Sequence, residues 1–291
     1  MEIHRYGATT FTKVFSNTKF KGKDCLPFIL GATATLQRQD GRHSIIEAYC
    51  PIISNIGFEE ALDNKWICDF EIINIGVNAP NDYIELNNIF RNEFSYFHDN
   101  LQQVFSCLYY PSALKFVQDN NLDIDIGVVI GKAKRCLEYM RKRKQLIYES
   151  KEKLLYSKKL IEENKGAKIM TFSMSVNFAN ELTNLVEDSI SIHSKLSDRQ
   201  RDLYLSEFEN GKYTVLNSVK IFEEGYDAPD VTVGINISCT AVDRQFIQRL
   251  GRLLRFVEGK KAIFYCLYLK GTKEKWTLKN AQGNIPNVKW I

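Results

Sequence analysis

The residues best suited to chemistry lie near the end of the sequence, in Gln248-Arg249-Leu250-Gly251-Arg252-Leu253-Leu254-Arg255. Read as the close of a helix running from Val242 to Leu254, this octet sets Arg252 and Arg255 three residues apart on one face. Two guanidinium groups side by side suit a triphosphate, because the charge of a phosphoryl-transfer transition state spreads over several oxygens. Gly251 would let another backbone come close. A helix that only carries surface ion pairs has the same residues, so the octet alone leaves both readings open. Holding the phosphates takes a second device, a Gly-x-x-x-x-Gly-Lys-Ser/Thr loop whose backbone N–H groups and lysine surround them. The sequence has none. Gly127-Val128-Val129-Ile130-Gly131-Lys132-Ala133 is one residue short between its glycines, and Ala133 has no hydroxyl for magnesium. Gly22-Lys23-Asp24, Gly211-Lys212-Tyr213 and Gly259-Lys260-Lys261 fail similarly.

The charge is placed unevenly. From Gly131 to Lys168 thirteen Lys and Arg stand against five Glu, a local +8 in a chain whose net charge is +4. A basic stripe on an acidic body is the footprint of a phosphate-backbone binder. The alternative, a solvated face of a long helix, has the same composition. With 44% apolar and 25% charged residues, the chain reads as an ordinary soluble protein. No run of eighteen apolar residues occurs, so no membrane-spanning helix is expected. Met1-Glu2-Ile3-His4-Arg5 lacks the apolar core of a signal peptide. The seven cysteines form no Cys-x-x-Cys pair, which argues against zinc or a disulfide framework and suits a reducing cytoplasm.

The elements that must position these residues alternate. Leu26–Leu30 reads as a short buried strand closed by Gly31, Arg42–Tyr49 as a short helix, and Asp69–Val77 as a strand. Tyr83, Leu86, Ile89, Phe90, Phe94, Phe97, Leu101 and Val104 recur at helical spacing, after a start signal at Pro80-Asn81. A second helical stretch runs from Val128 to Asn164 and carries the basic stripe. Beyond Gly166 come strands at Lys168–Phe172, Ser189–His193, Tyr213–Leu216, Val231–Ile237 and Ala262–Leu269. Between them lie helices at Ser175–Val186, at Ser197–Asn210 with a capping box from Ser197 to Gln200, and at Val242–Leu254. Such alternation implies an α/β fold, a parallel sheet with helices on both faces.

With these elements in place, the octet resembles motif VI of superfamily 2 helicases, the DEAD/DEAH-box (DExH) group, and further motifs follow in the right order. Glu2-Ile3-His4-Arg5-Tyr6-Gly7 resembles the end of motif II. Gly31-Ala32-Thr33-Ala34-Thr35-Leu36-Gln37-Arg38-Gln39-Asp40-Gly41 resembles motif III with its extension. Ile169-Met170-Thr171-Phe172-Ser173 is similar to motif IV, and the stretch from Val215 through Gly225-Tyr226-Asp227 to Asp230 to motif V. Ile192-His193-Ser194-Lys195-Leu196, followed by Arg199, resembles the segment between them. The branch resembled holds type III restriction motors and excision-repair helicases.

This resemblance implies a RecA-like second helicase lobe with a helical insertion and a truncated remnant of the first RecA-like lobe. It makes Glu2, His4, Gln248, Arg252 and Arg255 the catalytic set, with Gly225, Asp227, Arg252 and Arg255 facing ATP. Thr33, Ala34 and Thr35 would couple nucleotide state to lobe movement. Phe172, Ser173, His193, Ser194 and Ser218 would meet the nucleic-acid backbone. Expected domains are 1–66, the first-lobe remnant; 67–165, a leading strand with the partly basic helical insertion; and 166–291, the second lobe.

Two departures qualify the match. Met1 stands where motif II has a magnesium-binding Asp, and the phosphate loop is missing. The expectation is therefore the C-terminal portion of an ATP-dependent DNA helicase or translocase, cut or split upstream and inactive alone. ATP and Mg2+ would bind only with a complete first lobe, which a separate chain could supply. The alternative is a non-catalytic nucleic-acid-binding module or a split-motor subunit. Either way the partner is nucleic acid, DNA favoured, and no membrane.

Overall fold

A computed structural model describes residues 19–20, 23–24, 30–33, 36, 41–219, 230–239 and 243–291 of the chain. Its centre is a seven-stranded sheet in which every pairing is parallel. After a small pair β1 (Lys19–Phe20) and β2 (Lys23–Asp24), the sheet strands are β3 (Asp69–Val77), β4 (Ile169–Ser173), β5 (Ser189–Ile192), β6 (Val215–Val219), β7 (Val233–Asn236), β8 (Lys261–Leu269) and β9 (Val288–Trp290). They stand in the order β5-β6-β4-β7-β8-β3-β9.

Period-two alternation gives the sheet two buried faces. Phe70, Ile72, Met170, Phe172 and Phe264 point to one core, while Ile75, Val77, Ile169, Val215, Ile235 and Leu267 point to the other. On the first face pack α9 (Asp198–Glu209) through Phe208, α10 (Asp243–Gly251) through Phe246 and Leu250, and α11 (Glu274–Gln282) through Leu278. On the second pack α7 (Lys151–Glu163) through Leu154, Leu160 and Ile161, and α8 (Val176–Leu185) through Phe178 and Leu182.

Strand β3 pairs with β8 over nine positions, from Asp69 beside Lys261 to Val77 beside Leu269. The sequence reading groups this strand with the insertion; the register makes it a full member of the C-terminal sheet. The first helices are α1 (His43–Tyr49) and α2 (Phe58–Asp63). The insertion proper follows β3 as α3 (Asn81–Ser95), α4 (Leu101–Ser106), α5 (Tyr110–Asp119) and α6 (Ile126–Tyr148). It has its own core of Phe90, Phe97, Val104, Phe116, Val129, Ala133, Cys136 and Leu137.

Two expected helices are each broken in two. The run from Tyr83 past Val104 stops at Ser95, with His98 and Asp99 in the left-handed region at φ 53° and 54°. Asn100 then caps α4, its side-chain oxygen accepting from the N–H groups of Gln102 and Gln103. The run from Val128 to Asn164 breaks at Glu149-Ser150, where the Ser150 hydroxyl accepts from Lys153 N and starts α7. In both places a short polar side chain offers the backbone a partner outside the continuous helix. The apolar period passes over such breaks unchanged. The Leu26–Leu30 strand lies outside the described residues except for Leu30, which is exposed.

Candidate functional site

In a parallel sheet, side chains that meet ligands gather at the carboxyl ends of the strands. Here Phe172 stands beside Ser218 and Asn236, and Ile192 beside Ser218, so the ends of β4, β5, β6 and β7 lie level. His193, Ser173, Val219 and Ile237 come one residue later along that edge.

Helix α10 leads back to the same edge. Its Arg249 is buried, only 3% exposed. The guanidinium donates to Asn236 Oδ1 at 2.7 Å and to the Ser238 carbonyl at 2.9 Å, and contacts Met174 Sδ at 3.7 Å. Its plane lies 5.9 Å from the Phe172 ring. The sequence reading passed over this arginine for its neighbours, although it belongs to the same octet.

Arg252 and Arg255 are placed differently from the expectation. Helix α10 ends at Gly251, so neither is helical. The chain turns so that Leu253 and Leu254 both enter the core, at 0% and 4% exposure. Arg255 then makes an isolated antiparallel bridge with Ile67, and Cys68 N donates to the Leu254 carbonyl at 3.0 Å. Phe246, Leu250, Leu253 and Leu254 keep the spacing of one helical face, so the apolar period runs past the end of the helix without marking it. Arg252 is half-buried and Arg255 exposed. Gly251 faces no close neighbour among the described residues. Gln248 is half-buried, and its Nε2 finds no hydrogen-bond partner among the described residues.

The strand-end serines are also less available than expected. Ser173 and Ser218 are buried, and Phe172 is a core side chain packed edge-on against Phe264 at 6.1 Å. The Ser218 hydroxyl donates to the Thr171 carbonyl at 2.6 Å, and that of Ser173 to the Ser175 carbonyl at 3.2 Å. The Ser218 hydroxyl thus ties β6 to β4, and that of Ser173 ties the end of β4 to the residues leading into α8. Ser194 is exposed. His193 is buried with Nδ1 unpartnered among the described residues; burial, and then the nearby Lys195, hold its pKa below the usual imidazole value. Thr33 is half-buried and lines an apolar cavity of about 660 Å3 with Leu30, Ile46 and Ile56. Glu2, His4, Ala34, Thr35, Gly225 and Asp227 lie outside the described residues.

A second charged group beside Arg249 was missed. Lys153 is fully buried; its ammonium donates to Glu274 Oε1 and to the Ile237 carbonyl, both at 2.8 Å. The other carboxylate oxygen of Glu274 accepts from Leu269 N at 2.8 Å. A signal was present: Lys153 falls four residues before Ser157 on the stripe that continues to Leu160 and Ile161, the buried face of α7. Nearby, burial and then Glu274 push the Tyr148 hydroxyl upward, and burial keeps the thiols of Cys239 and Cys266 protonated.

Part of the basic stripe is ion-paired within the fold. Lys132 and Arg135 pair with Glu93, Lys142 with Glu138, Lys158 with Glu162, Lys159 with Glu163, and Lys168 with Asp230. Arg143 lies over the Phe90 ring at 4.1 Å. The charge count thus overstates what faces solvent. Among the described residues no three His, Cys, Asp or Glu side chains converge to hold a metal, and no helix is long and apolar enough to cross a membrane.

The sequence and the fold are similar to known proteins. Residues 151–257 match the helicase conserved C-terminal domain. Residues 151–257 thus carry a helicase C-terminal domain. Over 249 residues the chain is 26% identical to the DNA 3'-5' translocase XPB2 of Sulfurisphaera tokodaii, covering 85% of this sequence and 54% of that protein. Over 109 residues it is 28% identical to the ATP-dependent RNA helicase dbp2 of Neosartorya fischeri, covering 36% and 20% respectively. The chain thus spans about half the length of the first relative and a fifth of the second. The crystal structure of the Pyrococcus furiosus Hef helicase domain superposes with a TM-score of 0.60 at 16% identity, covering 97% of this chain and 72% of that one. This likeness establishes a RecA-like α/β fold for the helicase domain.

Proposed function

We propose that this chain supplies the second lobe of an ATP-driven translocase acting on nucleic-acid strands, DNA favoured. Arg252 and Arg255 would face a triphosphate held by a phosphate loop on another stretch of polypeptide, in the same protein or a separate chain. There they would stabilise charge that develops on phosphoryl oxygens, an effect worth on the order of several kcal/mol. The observation that carries the reading is the turn after α10. Leu253 and Leu254 anchor it in the core while the flanking Arg252 and Arg255 stay at its solvent side.

Gly225 and Asp227 would line the nucleotide side of this lobe, and Gln248 would reach toward Glu2 and His4. Thr33, Ala34 and Thr35 would carry nucleotide state between lobes. Ser194 and His193 would meet strand phosphates at the sheet edge, with Ser173 and Ser218 fixing the loops that do so. Mg2+ would bind only with a complete first lobe. DNA is favoured because the likeness to the translocase extends over 249 residues and that to the RNA helicase over 109.

ATP turnover tests this. The 291 residues alone should show none above background. With the phosphate loop supplied, Arg252→Ala should abolish turnover and leave strand binding intact; undiminished turnover would refute the assignment.

A further inference from the structure

Helices α3 and α6 lie side by side in the insertion and run in opposite directions. Glu93, near the end of α3, pairs with Lys132 and Arg135 early on α6, whereas Asp82 and Glu149 line one cleft at the other end. That cleft is a groove of about 540 Å3. The α3 side supplies Asp82, Glu85, Leu86 and Ile89; the α6 side supplies Lys142, Gln145, Leu146 and Glu149. Each set follows the i, i+3, i+4, i+7 spacing of a single helical face. Two antiparallel helical ridges with an open groove between them form the seat for a third helix.

The lining selects which helix. Leu86 and Leu146 are half-buried, and Ile89 is still 45% exposed, so the groove offers apolar surface to solvent. Around it stand three carboxylates, Asp82, Glu85 and Glu149, against one ammonium. That ammonium, Lys142, is already answered by Glu138 at 2.6 Å, one turn back on its own helix. Glu149 is held in place by three donors: the Ser175 hydroxyl at 2.6 Å, Gln145 Nε2 at 3.0 Å and Asn177 Nδ2 at 3.4 Å. An acidic groove runs against the composition of its longer wall, because α6 carries seven Lys and Arg and a single Glu. Such a lining repels phosphates and favours a cationic segment.

We infer that the groove between α3 and α6 docks a cationic amphipathic helix of a partner protein. The apolar stripe of that helix lies on Leu86, Ile89 and Leu146, and its Lys or Arg side chains reach Asp82, Glu85 and Glu149. Apolar spacing fixes the seating, and the carboxylates reject acidic competitors. The insertion thereby has a protein-binding face.

The probe is a labelled peptide of about 18 residues made of leucine and lysine alone, its leucines at helical spacing. Fluorescence anisotropy follows its titration with the 291-residue chain. A peptide of the same composition with leucine and lysine in strict alternation should bind about ten-fold more weakly, and one with glutamate for lysine should not bind. Asp82→Asn/Glu85→Gln should weaken binding of the helical peptide about five- to ten-fold, and Ile89→Ser about three- to ten-fold. Asp119→Asn/Asp123→Asn, which removes two carboxylates outside the groove, is the control and should leave binding near wild type. Matching thermal midpoints would establish that each variant is folded. No binding of the helical peptide, or an equal loss from the control pair, would overturn the docking site. Single-stranded oligonucleotide binding that Ile89→Ser weakens as much as it weakens the peptide would assign the groove to nucleic acid instead. A dimer of the chain that Ile89→Ser dissociates would put a second copy there, and either result would overturn the partner helix.

Discussion

Lys153 reaches Glu274 at 2.8 Å with both side chains shut away from water. The pair joins three elements that the sequence separates widely: α7, the start of α11, and the loop after β7 through the Ile237 carbonyl. That loop continues into Ser238, whose carbonyl holds Arg249. The positions of α10 and of the turn bearing Arg252 therefore depend on a buried charge pair whose ammonium makes two hydrogen bonds and whose carboxylate oxygens each accept one.

Removing one partner should be costly. Lys153→Met leaves the Glu274 carboxylate buried without its counter-ion, a loss of about 3–5 kcal/mol in unfolding free energy. Lys153→Met/Glu274→Leu removes both charges and should recover much of that, although Leu269 N then loses its acceptor. Urea unfolding of the two variants against wild type checks this. A double variant less stable than the single one would mean that the pair acts through something other than charge compensation.

Arg249 and Arg255 should part company in the same assay. Arg249→Ala strands Asn236 Oδ1 and the Ser238 carbonyl in the core, an expected loss of about 2–4 kcal/mol. Arg255 is exposed, and Arg255→Ala should change stability by less than about 1 kcal/mol. Similar losses from both would show that Arg255 is structural and unavailable to a nucleotide.

His193 gives stability a pH dependence whose sign follows from its environment. Its folded pKa is depressed, by burial first and Lys195 second, so below about pH 6.5 the unfolded chain takes up a proton that the folded chain refuses. The contribution is fully present above the unfolded pKa and is lost as pH falls from there through the folded value. Unfolding free energies measured between pH 7.5 and about pH 5 should decline less steeply for His193→Gln than for wild type. Equal slopes would refute the burial of a neutral imidazole.

Local chemistry was more legible in the sequence than long-range order. Ser197 and Gln200 form the expected reciprocal capping box, and Ser175 caps α8 as its position suggested, because both signals act within one turn. Five of the six strands after Gly166 were found to within a few residues by their apolar runs; β9, three residues long and mostly exposed, was not. Strand order was not legible: β3 precedes the whole insertion yet lies between β8 and β9, a placement decided by contacts about two hundred residues apart in the chain. Arg249 was hidden for the opposite reason: it reads as one more arginine of its octet, and only burial distinguishes it from Arg252, whereas Lys153 differs from Lys158 by its place on the apolar stripe of α7.

The placing of Arg252 can be tested from beneath. A Cβ built on Gly234 in β7 would lie 2.7 Å from the Leu253 side chain and 2.6 Å from the Phe264 ring, closer than atoms in a packed core approach. Gly234→Ala should therefore destabilise by about 1–3 kcal/mol and push Leu253 outward, carrying the adjacent Arg252 with it. If the turn after α10 sets the geometry of a triphosphate site, this variant with the phosphate loop supplied should lose ATP turnover out of proportion to its stability, while binding of a labelled single-stranded oligonucleotide stays near wild type. Full turnover in a measurably destabilised Gly234→Ala protein would show that Arg252 tolerates displacement and that the turn does not position it for catalysis.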